Sequence, residues 1–320
     1  MTAALIEAFA AAPSERALID LLPRAQVSPG WAKPRPSIYP EPHRSFVPAR
    51  WRYAEGRAAL DAAKAFVSTE LAERRNLILA NPREGNDYAT ARTLVAAYQL
   101  VRAGEKARSH RHVPNALRLT LDTAPGTYTI VEGRRIPMLA GDVLLTPNWH
   151  WHGHSNESAD DAFWIDFLDV PLIHLLEPMF FEQHPDWMEE GGAPMPDSPM
   201  RFAYADTGPA VRAAAETRPG ERWLPLGPPV MPTIGLALRH LAEGAALTDP
   251  RTTENRVYAV VEGAGKMAAD GRRFDFGRGD VMVVPAWTAS QWRSAGDTVL
   301  LCVSDRPVLE ALGLLRCEPA

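Results

Sequence analysis

The chain contains two copies of one short pattern, "EGRRIPMLAGDVLLTPNW" at 132–149 and "DGRRFDFGRGDVMVVPAW" at 270–287. The copies align without a gap at a constant offset of 138 residues, and eight of their 18 positions are identical. In each copy, short apolar segments rich in β-branched residues alternate with Gly-Asp, Asp-Gly and Pro turns, which is typical of short antiparallel strands. A match of this length without gaps predicts a duplicated β domain.

The composition is that of an ordinary globular protein of 320 residues, with 46% hydrophobic and 23% charged residues. A net charge of −5 gives no basic footprint for nucleic acid or an anionic membrane surface. Cys302 and Cys317 form no disulfide framework, which favours a reducing compartment. The N-terminus reads as an amphipathic helix rather than a signal peptide. We therefore expect a cytoplasmic protein with neither a nucleic-acid partner nor a membrane span.

Prolines and helical periodicity mark the parts outside the repeat. The 29 prolines cluster at 29–48, 193–200 and 224–232, where they favour extended chain. The first cluster predicts an N-terminal arm, and the other two predict a connection between two folded halves. Apolar residues at helical spacing predict a further helix over 57–75.

Histidines concentrate around the first copy of the repeat. In "PNWHWHGHSN" (147–156), His150, His152 and His154 alternate, so in a strand they share one face. Upstream, His110 and His112 have the same spacing. Such histidines can be a solvated or hydrogen-bonded row, or they can point inward at a metal ion.

The glycines and the proline around these histidines match the motifs of a known protein family. The first motif begins at Gly104, six residues before His110. The second begins at Gly141, continues through Pro147 and His152, and ends at Asn156. With these two motifs the chain resembles the cupin superfamily, and within it the gentisate and salicylate 1,2-dioxygenases. The family's segments are matched at 72–82, 93–118, 127–156 and 163–172. Ala116 and Leu117 stand where many cupins have a glutamate and Trp149 where most have glycine, and both departures are typical of this branch.

The resemblance implies a mainly β bicupin, in which two double-stranded β-helix (jelly-roll) barrels follow N-terminal helices and an extended arm. The second copy has "PRT" (250–252) in place of His-x-His and Ser290 in place of His152, which predicts a metal-free barrel. The expected domains are N-terminal helices and arm at 1–90, a catalytic cupin domain at 91–185, a proline-rich connection at 186–235 and a second cupin domain at 236–320.

The resemblance also implies the roles of individual side chains. The expected metal ligands are His110, His112 and His152. His154 matches an acid/base residue of the family, Asp166 is interpreted as the carboxylate that orients a histidine, and His150 has no matching role. The expected substrate-binding residues are Arg74, Val95, Ala97, Gln99 and Arg118.

Three neutral imidazoles leave a divalent metal ion its full charge and open coordination positions. A redox reaction with dioxygen favours Fe(II) over zinc, which cannot exchange electrons. The implied reaction opens a 2-hydroxybenzoate between the carboxyl-bearing and hydroxyl-bearing carbons, with a small aromatic acid and O₂ as partners of the protein. A homotetramer or homodimer is expected by the same resemblance.

One segment departs from the family's pocket strand. Val95 stands where an aromatic residue is common, and Ala97 where glycine is common. These changes open space on one side of the pocket and take it on another, which predicts gentisate or another 5-substituted salicylate, such as a nitro- or halogen-substituted one, as the substrate. The alternatives are a 1-hydroxy-2-naphthoate-type dioxygenase and a non-catalytic acid-binding bicupin.

Overall fold

The computed structural model describes residues 2–33, 36–68, 74–227 and 231–318. Residues 1–43 form one compact unit and residues 44–320 form another. The first unit contains helices α1 (Thr2–Ala10) and α2 (Glu15–Leu21) and a 3₁₀ turn at Leu22–Ala25. In the part of the chain that is described, no helix has the length and apolar character needed to cross a bilayer.

The second unit begins with strand β1 (Ala49–Trp51) and helix α3 (Tyr53–Ala63), followed by the strands of a first barrel. These are β2 (Arg75–Ile78), β3 (Val95–Val101), β4 (Lys106–His112), β5 (Ala116–Asp122), β6 (Thr127–Val131), β7 (Arg134–Pro137), β8 (Val143–Thr146), β9 (His152–Asn156) and β10 (Ala162–Leu168). Helix α4 (Val170–Leu176), β11 (Phe181–Gln183), β12 (Arg201–Phe202) and helix α5 (Tyr204–Ala213) connect this barrel to the next.

The second barrel repeats the order of the first. Its strands are β13 (Glu216–Arg218), β14 (Glu221–Pro225), β15 (Gly235–Leu241), β16 (Ala246–Asp249), β17 (Arg256–Glu262), β18 (Ala264–Ala269), β19 (Arg272–Gly277), β20 (Val281–Val284), β21 (Ser290–Ser294) and β22 (Thr298–Ser304), and helix α6 (Arg306–Ala311) follows. The mainly β, duplicated architecture predicted from the repeat is confirmed.

Each barrel is a pair of facing antiparallel sheets. In the first barrel, the order β12-β8-β5-β10-β3-β2 forms sheet S1 and β11-β4-β9-β6-β7 forms sheet S2. In the second, β1-β20-β17-β22-β15-β14-β13 forms S3 and β16-β21-β18-β19 forms S4. Strands β3 and β22 are buried along their whole length, because each carries one side chain row into its own barrel and the other row toward the neighbouring barrel.

The largest hydrophobic core joins the two barrels. It combines Tyr98, Leu117 and Ile165 of S1 with Val257 and Leu301 of S3, all almost completely buried. Smaller cores lie inside each barrel. Because S1 and S3 share one core, the second barrel supports the outer face of the sheet whose inner face carries the pocket strand β3.

The Gly-Asp pair that recurs in both copies has a structural reason. Gly141 has φ +84°, and a Cβ there would lie 2.6 Å from the Tyr204 ring, so only glycine fits. The next residue, Asp142, accepts a hydrogen bond from the backbone N of Tyr204 (2.9 Å) at the start of α5. The second copy repeats the arrangement with Gly279, Asp280 and Tyr53, where α3 begins.

The segments outside the repeat differ in part from the expectations. The helix predicted over 57–75 is α3, which ends at Ala63, while Phe66 is 82% exposed and covers no core. Residues 69–73 lie outside the described part, and Arg75 already begins β2. That strand pairs with β3 of the first barrel although it lies within the segment expected as N-terminal helices and arm. Within the predicted connection, β12 joins S1, and β13 and β14 join S3.

Candidate metal centre and active site

Three histidine side chains meet inside the first barrel. His110 and His112 lie on β4, and His152 lies on the neighbouring strand β9, directly opposite His110 in the register. The ring centroids of His110 and His152 are 4.4 Å apart, and those of His112 and His152 are 4.8 Å apart. Their ligand-capable nitrogens all lie within 4.8 Å of one another. The structure thus brings together the three side chains that the sequence predicts as ligands of one metal ion.

Backbone carbonyl groups orient all three rings. The Nδ1 atoms of His110, His112 and His152 lie 3.2, 2.7 and 3.0 Å from the carbonyl oxygens of Arg108, Pro114 and His150. A carbonyl oxygen only accepts hydrogen bonds, so Nδ1 carries the proton and Nε2 holds the lone pair. This is the tautomer in which Nε2 can bind a metal ion.

The three rings are held in the neutral form. Burial, with a smaller effect of the Arg74 cation, lowers the pKa of His110 to about 3. Burial lowers the pKa of His112 to about 4, and burial and His110 lower the pKa of His152 well below its ordinary value. Metal binding near neutral pH then requires no proton loss from the ligands. Three neutral nitrogens that converge in this way fit a divalent metal ion with open coordination positions.

His154 lies deeper in the barrel on the same face of β9. Its ring centroid is 6.3 Å from that of His152 and 5.2 Å from that of Trp164. Among the described residues, neither of its ring nitrogens has a hydrogen-bond partner, although both are buried. Burial and the Arg118 cation lower its pKa well below the ordinary value. A neutral imidazole with two unpaired nitrogens can exchange a proton with a ligand in the barrel.

Arg118 is fully buried in the barrel, with 1% of its surface exposed. Its Nε donates to Asp166 (3.3 Å), and its Nη1 donates to the hydroxyl of Thr129 (3.1 Å). Thr129 in turn donates to the carbonyl oxygen of Gly153. The guanidinium group is therefore fixed before any ligand enters.

Asp166 differs from its sequence-based interpretation. Its described partners are not histidines: Oδ1 accepts hydrogen bonds from Arg118 and from the indole N–H of Trp164 (2.9 Å), and Oδ2 lies 3.7 Å from Nη2 of Arg74. The carboxylate thus positions two arginines and a tryptophan. Trp164 lies two residues away on β10, whereas Arg118 comes from the neighbouring strand β5 and Arg74 from just before β2, so local spacing could not identify the two arginines.

Arg74 lies nearer the opening of the barrel, with 16% of its side chain exposed. Its Nε donates to the side-chain oxygen of Gln99 (3.1 Å). The guanidinium groups of Arg74 and Arg118 thus lie on either side of the Asp166 carboxylate. Guanidinium groups favour an anionic ligand such as a carboxylate.

One face of β3 lines the same space. Val95, Ala97 and Gln99 alternate along the strand and face the barrel interior, because Ala96 and Tyr98 lie in the core shared with S3. Sequence reasoning missed Asn76, which lies directly opposite Gln99 in the register of β2 and β3 and is exposed. Asn76 is two residues after Arg74, so in an extended strand both side chains face the same way, and this spacing could have identified it.

His150 lies at the rim, before β9 begins, with its Nδ1 2.9 Å from the carbonyl oxygen of Asn148. Trp149 has φ +63°, a left-handed conformation that glycine adopts most easily, which fits the expectation that most cupins have glycine here. Its backbone N donates to the carbonyl oxygen of His112 (3.0 Å). Its ring packs on Phe180, a neighbour that the sequence pattern did not indicate.

The second barrel carries different side chains at the corresponding positions. Ser290, which replaces His152, accepts a hydrogen bond from the indole of Trp292 (2.9 Å). Thr252 takes the position of His112, and Trp287 repeats the positive φ of Trp149. In the part of the chain that is described, the histidine trio of the first barrel is the group of His, Cys, Asp or Glu side chains whose ligand atoms lie close enough together to hold a metal ion.

Comparison with known proteins agrees with this geometry. Residues 97–169 match the family model of the cupin domain. The chain is 32% identical to a 5-aminosalicylate 1,2-dioxygenase of Comamonas sp, over 94% of this chain and 89% of that one. It is 30% identical to a gentisate 1,2-dioxygenase of Streptomyces sp, over 95% and 96%.

A solved structure shares this fold over nearly its whole length. The salicylate 1,2-dioxygenase of Pseudoaminobacter salicylatoxidans, as its adducts with gentisate, superposes with a TM-score of 0.87 at 26% identity, over 96% of this chain and 94% of that one. The duplicated barrels, the histidine trio and near-full-length similarity lead to one assignment. The chain belongs to the gentisate and salicylate 1,2-dioxygenase family of the cupin superfamily.

Proposed function

We propose that this chain is an Fe(II)-dependent dioxygenase that opens a 2-hydroxybenzoate between its carboxyl-bearing and hydroxyl-bearing carbons and incorporates both atoms of O₂. The observation that carries the proposal is the convergence of three buried, neutral imidazoles beside the guanidinium groups of Arg118 and Arg74. The first feature fits a divalent metal ion, and the second fits the anion that must bind next to it. Relatives that act on gentisate and on 5-aminosalicylate support the reaction class.

The donor set favours iron. His110, His112 and His152 would hold it through Nε2, and among the described residues no Asp or Glu side chain belongs to this ligand group. Bound there, Fe(II) supplies open coordination positions and the redox chemistry that the activation of dioxygen requires, which zinc lacks.

The chain's own groups bind and orient the acid. The carboxylate of the substrate would take charge-assisted hydrogen bonds from Arg118 and Arg74, whose guanidinium groups are already held by Asp166 and Gln99. Because these groups are fixed in advance, little side-chain entropy is lost on binding. His154, whose nitrogens have no described partner, would exchange a proton with the phenolic oxygen of the substrate.

The ring substituent is proposed from the pocket strand. Val95 leaves room where a larger ring is common, and Ala97 adds a methyl group to the opposite part of the wall. We propose gentisate or another 5-substituted salicylate, with a nitro or halogen group at C5 as the candidates that the pocket favours. Similarity to a 5-aminosalicylate 1,2-dioxygenase supports a substituent at C5.

Anaerobic reconstitution tests the activity directly. Full-length protein loaded with Fe(II) is mixed with aerated gentisate, 5-nitrosalicylate, 5-chlorosalicylate, salicylate and 1-hydroxy-2-naphthoate. Oxygen uptake that matches substrate loss, with the ultraviolet band of a ring-opened product, is expected for a 5-substituted salicylate. A preference for 1-hydroxy-2-naphthoate would support the naphthoate-type alternative. Tight binding of every acid without oxygen uptake would make the protein a non-catalytic acid-binding bicupin.

The same proposal extends to the cellular location, the oligomeric state and the domain limits of the enzyme. We propose a cytoplasmic enzyme of aromatic compound catabolism that forms a homotetramer or homodimer. For the domains we propose the division at residues 90, 185 and 235, with the catalytic cupin domain at 91–185. To these limits the flanking segments add β2 and β12 on the side of the first barrel and β13 and β14 on the side of the second. Light scattering of the purified protein gives its mass in solution, and a single chain mass would contradict the oligomer.

A further inference from the structure

One peptide group connects the ligand His112 to a buried carboxylate. The carbonyl oxygen of Pro114 accepts the hydrogen bond from Nδ1 of His112 (2.7 Å). The N–H of the same peptide, on Asn115, donates to Oδ1 of Asp169 (2.8 Å). Asp169 is completely buried, at 0% exposure. A carboxylate at the N–H end polarises the peptide, which strengthens the carbonyl as the acceptor for His112.

The same asparagine reaches the loop before the third ligand. Oδ1 of Asn115 accepts a hydrogen bond from the backbone N of Asn148 (2.9 Å). Two residues later, the carbonyl oxygen of His150 orients the ring of His152. Asn115 therefore ties together the chain segments that orient His112 and His152, although they are far apart in sequence.

The second barrel completes this cluster. Thr233, which lies just before β15, donates its hydroxyl proton to Oδ2 of Asp169 and accepts a hydrogen bond from Nδ2 of Asn115 (2.8 Å). Nδ2 of Asn115 also donates to Oδ2 of Asp169 (3.1 Å). The carboxylate thus accepts hydrogen bonds from three donors, one of which comes from the barrel expected to bind no metal.

The chain contains a matched copy of the cluster without metal ligands. Asn255 donates to Asp305 through its backbone N (2.8 Å) and its side chain (2.7 Å), and Thr93, from the first barrel, donates to Asp305 (2.6 Å). Asp305 is also buried, at 2% exposure. Thr252 stands where His112 would be, so this copy joins the barrels but orients no ligand.

We propose that Asp169 and Thr233 are positioning residues for the metal centre, so that the second barrel takes part in metal binding through Thr233. The inference rests on the proposed function only in that a metal ion binds the histidine trio. A purely structural cluster would serve both barrels equally, because both copies have the same partners and burial. If the Asp169 cluster positions the metal ligands, a change in it should lower metal affinity, whereas the same change in the Asp305 cluster should not.

The matched pair Asp169→Asn and Asp305→Asn separates these roles. Each change is isosteric and replaces an acceptor oxygen by an amide in the same surroundings. Fe(II) affinity is measured anaerobically on the full chain by competition with a chromogenic chelator, and thermal melting reports the stability of each variant. We expect Asp169→Asn to weaken Fe(II) binding about 10- to 100-fold, as for outer partners of metal-bound histidines. Asp305→Asn should stay within about twofold of the wild type at a similar loss of stability.

Thr233 provides a milder variant that preserves folding. Thr233→Val removes the hydroxyl group without a change in shape, and we expect a several-fold loss of Fe(II) affinity that Thr233→Ser restores. Equal affinity losses in the two aspartate variants, or wild-type affinity in Thr233→Val, would overturn the proposal. If the wild-type protein binds Fe(II) but cleaves no ring, the proposed activity fails while the affinity comparison still decides the positioning role.

Discussion

The two barrels share a scaffold and differ in what points into it. In register, Gln99, Arg118, His152, His154 and Asp166 of the first barrel correspond to Arg239, Tyr258, Ser290, Trp292 and Cys302 of the second. In the first set, the ring nitrogens of His154 have no hydrogen-bond partner among the described residues. In the second set, Tyr258, Trp292 and Cys302 pack into one core with Met267 and Phe276. The strands decide the fold, and a handful of inward side chains decide whether a barrel can hold a metal ion.

Charge shows the same contrast. Arg239 is completely buried, but Glu221 and Asp249 bind it at 2.7–3.0 Å, and it lies 5.1 Å from the rings of Trp223 and Trp292. Its charge is satisfied within the protein. In the first barrel, the fully buried Arg118 has one carboxylate within ion-pair distance among the described residues, that of Asp166, at 3.3 Å. A buried arginine held by two close carboxylates is structural, whereas one with a single, longer contact can also bind an anionic ligand.

The largest effect is expected for the metal ligands. His110→Ala, His112→Ala or His152→Ala should abolish both Fe(II) binding and ring cleavage while the fold remains, because two imidazoles cannot replace three. Metal analysis and oxygen uptake measure both. Ser290→Ala, at the position equivalent to His152, is the control and should keep full metal content. Full activity with stoichiometric iron in any one histidine variant would refute the ligand assignment.

His154 should affect turnover rather than metal content. His154→Ala should retain Fe(II) and lower kcat by about 10²–10⁴-fold, the range for the loss of a positioned acid/base group. Metal content and steady-state kinetics on one preparation separate the two effects. A loss of iron in this variant would mean that His154, and not His152, is the third ligand.

Arg118 should control substrate affinity. Arg118→Lys keeps the charge near Asp166 but loses the planar pair of donors, so KM for the acid should rise by about 10- to 100-fold. Tyr258→Phe, at the corresponding position of the second barrel, is the control and should leave KM unchanged. An unchanged KM in Arg118→Lys would remove Arg118 from the substrate site.

The metal-free protein should lose stability in acid through its histidine trio. The pKa values of His110 and His112 fall to about 3 and about 4 in the folded protein, below the ordinary value near 6.5. Below about pH 6.5 the unfolded chain therefore binds more protons than the folded protein, which lowers the free energy of unfolding. The contribution of these two histidines to stability is complete above about pH 6.5 and is lost as the pH falls toward 4 and 3. Between pH 7 and pH 5, the free energy of unfolding should fall by roughly 2 kcal/mol for each of His110 and His112.

Urea unfolding at pH 7 and pH 5 measures this loss. His110→Gln and His112→Gln should each reduce the difference between the two pH values, whereas Ser290→Ala should leave it as in the wild type. An identical pH dependence in all four proteins would show that the trio is not the source of the acid sensitivity.

The smallest effect concerns the choice of substrate. Ala97→Gly removes one methyl group from the pocket wall, which is worth about 1 kcal/mol or roughly fivefold in discrimination. The ratio of kcat/KM for gentisate to that for 5-nitrosalicylate should rise by this amount. A wild-type preference for gentisate by two orders of magnitude over every other ring would contradict the altered-pocket hypothesis and leave the family assignment intact.

Sequence reasoning predicted most of the side chains that the structure brings together, because their signal is local. The alternation of His110 with His112, and of His152 with His154, places each pair on one strand face without knowledge of the partner strand. The two arginine partners of Asp166 depend instead on which strands lie beside β10. Their identity follows from long-range register, which no spacing along the chain encodes.

The same limit applies between the barrels. Thr233 carries no motif, and its contact with Asp169 arises only when the duplicated domains pack through S1 and S3. The predicted 57–75 helix is present up to Ala63, and the described residues beyond it include Phe66, which continues the apolar pattern but is 82% exposed and covers no core. Local patterns predicted the strands and the three histidines that converge, whereas the packing between distant segments is visible only in the structure.

The most direct test of the contrast between the barrels is a crystal structure of the Fe(II)-loaded protein, with anomalous difference maps on either side of the iron absorption edge. We predict one iron peak per chain, bounded by Nε2 of His110, His112 and His152, and none in the second barrel. A peak among Thr252, Ser290 and their neighbours, or iron bound through Nδ1 of any of the three histidines, would contradict the account.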